Sequence, residues 1–163
     1  MEVENAKVVH DLANSADLIK HHYDFVHYDS PDDRDIDVAL LYNKQRFELL
    51  DSKNFPLYLE DAQGKRDYTR DILVVYRNLN GELVHGLVNH WPSEREGQEK
   101  SEFKRVKAAK LAKSIVHEIQ AKNFDAKIMI MGDFNDNPTS KSIKEQLVTG
   151  DFYNPMESLL NRD

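Results

Sequence analysis

Residues 126–138 read Ala-Lys-Ile-Met-Ile-Met-Gly-Asp-Phe-Asn-Asp-Asn-Pro, and this stretch decides the fold. Lys127 to Met131 is a short apolar run, which predicts a strand buried on both faces. The run ends at Gly132, and four of the next five positions are acidic or amide residues. Asp133 and Asn135 are two apart, so on an extended backbone they point the same way. A carboxylate and a carboxamide at the end of a rigid strand suit a hard cation, a positioned water or a phosphoryl oxygen. The same residues also suit an Asx-rich turn, with Pro138 and Thr139 opening a helix. A calcium loop is excluded: its sixth and twelfth positions need Gly and Glu, and this chain has Pro138 and Lys144.

The length of 163 residues predicts one domain, large enough to bury a core. Lysine and arginine number 22 against 29 acids, a formal charge of -7. So acidic a chain lacks the general phosphate attraction of a nucleic-acid binder, which favours metal-assisted chemistry over passive binding. The absence of cysteine excludes disulfides, thiolate nucleophiles and cysteine-ligated zinc. No run approaches the ~18 apolar residues of a membrane span, and no signal peptide opens the sequence.

Outward from the central stretch, apolar spacing predicts a helix over 3–20 and strands at 23–28 and 36–42. Residues 47–59 read as an edge or irregular strand broken by Pro56. Asn80-Gly81 joins strands 71–79 and 82–91, the plainest hairpin in the chain. Ser101 is placed to cap a helix running to about 122, with Phe103, Val106, Ala109, Ala112, Val116 and Ile119 on its buried side. A shorter helix follows at 139–148. Mixed strands flanked by helices indicate an α/β or α+β layered fold.

Asn89-His90-Trp91-Pro92-Ser93 supplies a second candidate site. A histidine where a strand gives way to a proline-led loop suits an active-site rim, or a ring that simply packs beside Trp91. Arg70, at the start of the hairpin, is able to grip a phosphate through two nitrogens or to lie on the surface. His21, His22, His27 and His117 fall on helix or strand surfaces and read as structural.

Together these segments resemble the endonuclease/exonuclease/phosphatase superfamily, which includes deoxyribonucleases, abasic-site nucleases, sphingomyelinases and inositol phosphatases. Met-Gly-Asp-Phe-Asn-Asp-Asn-Pro at 131–138 resembles its Gly-Asp-Phe-Asn signature. Residues 36–42, 69–73 and 89–93 are similar to one bacterial branch, and Glu2-Val3-Glu4-Asn5 to the strand end whose glutamate binds the metal. The resemblance implies a four-layer sandwich of two mixed sheets with outer helices. It implies Glu2 as a ligand of Mg²⁺ or Mn²⁺, Asp133 orienting or deprotonating the attacking water, and Asn135 binding the phosphoryl group. It further implies His90 in proton transfer or charge stabilisation, Arg70 contacting a substrate phosphate, and Asp37 as a partner for His90. The reaction implied is metal-assisted hydrolysis of a phosphoester, nucleic acid being among the possible substrates.

The chain departs from that family at both ends. An earlier asparagine-bearing strand and a late Asp-His pair have no counterpart in 1–163, and Glu94 then Arg95 follow Ser93 where the branch has arginine. The expectation is therefore a partial sandwich, truncated at both ends, with weak or undetectable hydrolysis that rises strongly when flanking segments are restored. The alternative is a non-catalytic remnant that self-associates through exposed sheet edges. A calcineurin-like phosphatase is set aside, because Val88-Asn89-His90-Trp91 lacks its Gly-Asn-His-Asp/Glu stretch.

Overall fold

Asn80 and Gly81 adopt φ of 52° and 89°, the two left-handed positions that a tight hairpin turn requires. The strands they join are β7 (Ile72–Leu79) and β8 (Glu82–His90), the centre of the larger sheet. The computed structural model describes residues 1–94, 97–150 and 152–160, with the helical backbone alone at 98–100. Arg95, one of the departures noted above, lies outside the described residues.

Before this hairpin come β1 (Glu2–Val3), α1 (Ala6–Ala13), β2 (Tyr23–Tyr28), β3 (Asp37–Asn43), β4 (Phe47–Phe55), β5 (Leu59–Glu60) and β6 (Arg66–Asp67). After it come α2 (Gln98–Lys122), β9 (Lys127–Asp133), a π-helical segment Lys141–Leu147 and the short α3 (Glu157–Leu160). One sheet has the order β1-β3-β2, all antiparallel, a second the order β4-β7-β8-β9, and β5 and β6 form a small antiparallel pair of their own. Among the described residues only β8 and β9 are parallel, because α2 carries the chain back between them.

Apolar residues define four layers. Val9 of α1 packs on Val3 and Ala39 of the first sheet. Val26 and Val38 on that sheet's other face meet Leu73, Val75 and Val88 of the second. The second sheet's far face, with Ile72, Val74 and Leu87, packs on Ala108, Ala112, Ile115 and Val116 of α2 and on Ile143 and Leu147. The expected four-layer α/β sandwich is what the chain forms.

Local expectations shift in four places. The first helix ends at Ala13, where Asn14 turns its side chain back to the His10 carbonyl, and Ile19 is exposed. α2 starts at Gln98 rather than after Ser101; Ser101 is buried in its first turn and donates to the Gly97 carbonyl. Phe103 is exposed and Ile115 takes its place in the core. Finally, β9 pairs with β8 alone among the described residues and leaves Met129 exposed, so it is an edge strand rather than one buried on both faces. An apolar run records that a strand packs; it does not record how many neighbours the strand has.

Candidate active site

The parallel register of β8 and β9 places His90 opposite Asp133 and Asn89 opposite Gly132. Both strands therefore end at the same edge of the sheet, where the chain leaves extended geometry and side chains can converge. Gly132 is required at this point. Its φ is +133°, and a Cβ built there falls 1.9 Å from the Asn89 carbonyl oxygen. Beyond it the Asp133 carboxylate accepts from the Asn135 backbone N–H at 2.8 Å, and Asn135 sits in the left-handed region at φ 48°. That Asx turn bends the chain so that Asn135 reaches β8.

The carbonyl of Trp91 is the hub. It accepts from Asn135 Nδ2 at 2.9 Å and from Arg70 Nη2 at 2.6 Å, while the Trp91 N–H donates to the Asp133 carbonyl at 2.9 Å. A carbonyl can only accept, which settles that the Asn135 amide faces it with nitrogen. The indole is itself held: Trp91 Nε1 donates to Asn89 Oδ1 at 3.0 Å, and Phe134 meets the ring edge-on at 4.8 Å.

Glu2 arrives from the other sheet. β1 pairs with β3, and Glu2 Oε2 lies 3.7 Å from His90 Nε2, in ion-pair range but too long for a hydrogen bond. Burial first, then the Arg70 guanidinium, push the His90 pKa below its ordinary value, against the attraction of Glu2 and Asp133. The ring's Nδ1 is buried without a partner. Five residues singled out in the sequence, Glu2, Arg70, His90, Asp133 and Asn135, thus come to one place.

Asp37 does not join them. Its carboxylate binds His27 Nε2 at 2.8 Å and both the N–H and hydroxyl of Ser30, at 2.8 and 2.9 Å. The expectation of Asp37 as a partner for His90 is corrected on that ground, and so is that of His27 as a surface ring: its side chain is 6% exposed. His27, Asp29 and Asp37 bring ligand atoms within 4.8 Å of one another. Their hydrogen bonds already satisfy Asp37, and Asp29 is exposed. Arg70 is neither surface residue nor free fork. It is 3% exposed, with Nη1 on Asp32 at 3.0 Å and Nη2 on Trp91; only Nε lacks a partner.

The sequence reading missed the groups that hold this turn from behind. Arg105 of α2, fully buried, donates from Nε to Asp136 Oδ2 at 2.9 Å and from Nη1 to Ser101 at 2.8 Å. Ser142 donates to the same Asp136 oxygen at 2.5 Å. The available signal was faint: Ser101 and Arg105 stand one helical turn apart, facing the same way. Burial works to raise the Asp136 pKa, but hydrogen bonds from Ser142, Arg105 and Ser140 hold it below the usual carboxylate value. A depressed folded-state pKa stabilises above the unfolded value of ~4, and that contribution is lost as pH falls through the folded value. Asp136→Asn is therefore expected to cost about 1–3 kcal/mol at pH 7 and less at pH 3. Urea melts at the two pH values check this; an equal cost at both removes the charged contact as its source.

Over residues 1–162 the sequence matches the model of the endonuclease/exonuclease/phosphatase family. The chain belongs to that family. No curated protein sequence matches it. Among solved structures, this endonuclease/exonuclease/phosphatase chain is similar to the human Nocturnin catalytic domain with bound sulfate, at 20% identity and TM-score 0.58, over 78% of this chain and 48% of that one. It is also similar to D. rerio TDP2 complexed with a single-strand DNA product, at 18% identity and TM-score 0.56, over 86% and 47%. A Bacteroides vulgatus endonuclease/exonuclease/phosphatase matches at 21% identity and TM-score 0.55, over 80% and 50%. These likenesses show a shared fold, and the chain spans about half the length of those proteins.

Proposed function

We propose that this chain carries the phosphoester-hydrolysing site of its family and works with a divalent cation, Mg²⁺ or Mn²⁺. The observation that carries this reading is the meeting of His90, Asp133 and Asn135 at the end of β8 and β9, the last two tied to the Trp91 backbone, with Glu2 of the other sheet reaching His90. The donor chemistry fits a hard cation. Glu2 is an oxygen donor, half exposed, and among the described residues its ion-pair contact is with His90 rather than a lysine or arginine. Glu2 would hold the cation, which when bound neutralises charge at the phosphoryl group.

The chain's own residues supply the rest. Asp133 is exposed and its carboxylate is oriented by the Asn135 N–H, so it is able to align a water and take its proton. The Asn135 amide uses one N–H on Trp91 and keeps the second for a phosphoryl oxygen. Burial and Arg70 favour neutral His90, a ring able to accept a proton as charge develops. Arg70, engaged on Asp32 and Trp91, contributes its positive charge and the position of the Trp91 carbonyl rather than a two-pronged grip.

Calorimetric titration of Mg²⁺ against the wild type and Glu2→Ala tests the reading, alongside hydrolysis of bis(4-nitrophenyl) phosphate with and without chelator. The expected result is binding weakened about 10- to 100-fold in the variant and turnover that chelation abolishes. Equal Mg²⁺ affinity removes Glu2 from the site, and turnover indifferent to chelator removes the cation.

A further inference from the structure

The candidate site is divided between two sheets. Glu2 belongs to β1 of the first, whereas His90, Asp133 and Asn135 stand at or just past the ends of β8 and β9 in the second. Apolar side chains press the sheets together, but hydrophobic contact is non-directional and does not by itself fix how one lies against the other. A directional link comes from the loop between β2 and β3, at Asp32.

That loop aims the Asp32 carboxylate. Oδ1 accepts from the Arg34 N–H at 3.1 Å and from Arg34 Nε at 3.2 Å, and the Asp32 carbonyl accepts from the Asp35 N–H at 3.0 Å. Oδ2 takes a longer bond from Arg34 Nη2 at 3.3 Å and a shorter one, at 3.0 Å, from Nη1 of Arg70, just before β7. The other terminal nitrogen of Arg70 donates to the Trp91 carbonyl, which also accepts from Asn135 Nδ2. One rigid fork therefore joins a carboxylate carried by the first sheet to the carbonyl that holds the Asn135 amide.

The link is charged and closed to water, the Arg70 and Asp32 side chains being 2% and 3% exposed. Burial works to raise the Asp32 pKa, but hydrogen bonds from Arg34 and Arg70 hold it below the usual carboxylate value. Among the described residues Asp32 is the only carboxylate in ion-pair contact with Arg70. A buried guanidinium stays where its counter-charge is, so the place of Arg70 is set by Asp32.

We propose that Asp32 is a positioning residue, which acts through Arg70 and the Trp91 carbonyl to set the Asn135 amide relative to Glu2 across the two sheets. The task of Asn135 is that of the hydrolytic reading, on which this inference rests.

Asp32→Asn, the double variant Asp32→Leu/Arg70→Met and Tyr28→Phe are compared with the wild type. Tyr28→Phe removes a different polar link between the sheets, to Ser52 of β4, the sheet edge opposite β9. The Asn135 side-chain amide is followed in ¹⁵N–¹H spectra of the metal-free protein. Hydrolysis of bis(4-nitrophenyl) phosphate is measured with Mg²⁺. In Asp32→Asn the amide signals should shift and the rate fall about 10- to 100-fold, the usual effect of a small misplacement. The loss should appear in kcat rather than KM, because the amide faces charge that develops in the transition state. Tyr28→Phe should change neither signal nor kcat. Asp32→Asn strands the Arg70 charge and is strongly destabilising, whereas the double variant removes both charges and keeps the fold. It should show a shifted amide and a lowered kcat as well, and it decides alone if the single variant does not fold. A wild-type Asn135 signal in either folded variant, a wild-type kcat in the double variant, or an equal shift in Tyr28→Phe overturns the proposal. Failure of both Asp32 variants to fold makes the pair structural only and overturns it likewise. If the wild type hydrolyses no phosphoester while the Asn135 signal still follows Asp32, the hydrolytic reading falls and the positioning of Asn135 by Asp32 stands.

Discussion

Asp133→Ala is expected to lower kcat on an activated phosphodiester by about 10²–10⁴-fold, the usual worth of a positioned proton acceptor. The carboxylate is exposed, and among the described residues its one hydrogen bond is from the Asn135 N–H, so the loss of stability should stay at about 1 kcal/mol. That separation makes the test clean, because a large kinetic effect beside a small thermal one cannot come from unfolding. Substrate-analogue affinity measured in the same variant should change far less than kcat. A variant that keeps more than about a tenth of the wild-type rate would sink the role given to Asp133. Another group would then have to take the proton, and His90, across the strand pair, is the one in register with it.

Gly132→Ala should be the most damaging single-methyl change in the chain. The added Cβ would sit 1.9 Å from the Asn89 carbonyl oxygen and 2.8 Å from its nitrogen, both backbone atoms that cannot rotate away. It also demands φ of +133° from a residue with a side chain. Backbone strain and overpacking each cost on the order of 1–3 kcal/mol, so a loss of roughly 3–5 kcal/mol is expected. The only relief is separation of β8 from β9 at the pair that aligns His90 with Asp133, so activity should fall with stability. Urea unfolding and the hydrolysis assay measure both. Gly81→Ala provides a comparison: nothing lies within 4 Å of a Cβ there, so its cost comes from φ alone. If Gly132→Ala proves no worse than Gly81→Ala, the close approach is not what holds the site.

Both expectations concern one turn, and that turn was legible in the sequence. Gly-Asp-Phe-Asn after an apolar run, Asn-His-Trp-Pro after a hairpin strand and Asn80-Gly81 at the turn of that hairpin are local patterns. Their meaning comes from turn geometry and the two-residue strand period, and no distant contact is needed to read them. The layered α/β class was legible in the same way, from strands flanked by helices, whereas the count of four layers came only with the family resemblance.

What the sequence left open was decided by packing between segments far apart in the chain. In the sequence Asp37 reads as a partner for His90. The antiparallel register of β2 with β3 sets His27 against Ala39 and brings its ring to Asp37, while His90 sits on the other sheet. Arg70 reads as a free fork until Asp32 and the Trp91 carbonyl take its two terminal nitrogens. Arg105 and Asp136 are 31 positions apart and carry no shared local pattern; only the crossover of α2 onto the sheet makes them a buried pair. Residue type and local spacing thus determined which chemistry this protein holds. Tertiary structure alone assigned each charged group its partner, because a buried charge must be matched by whatever the fold brings within reach.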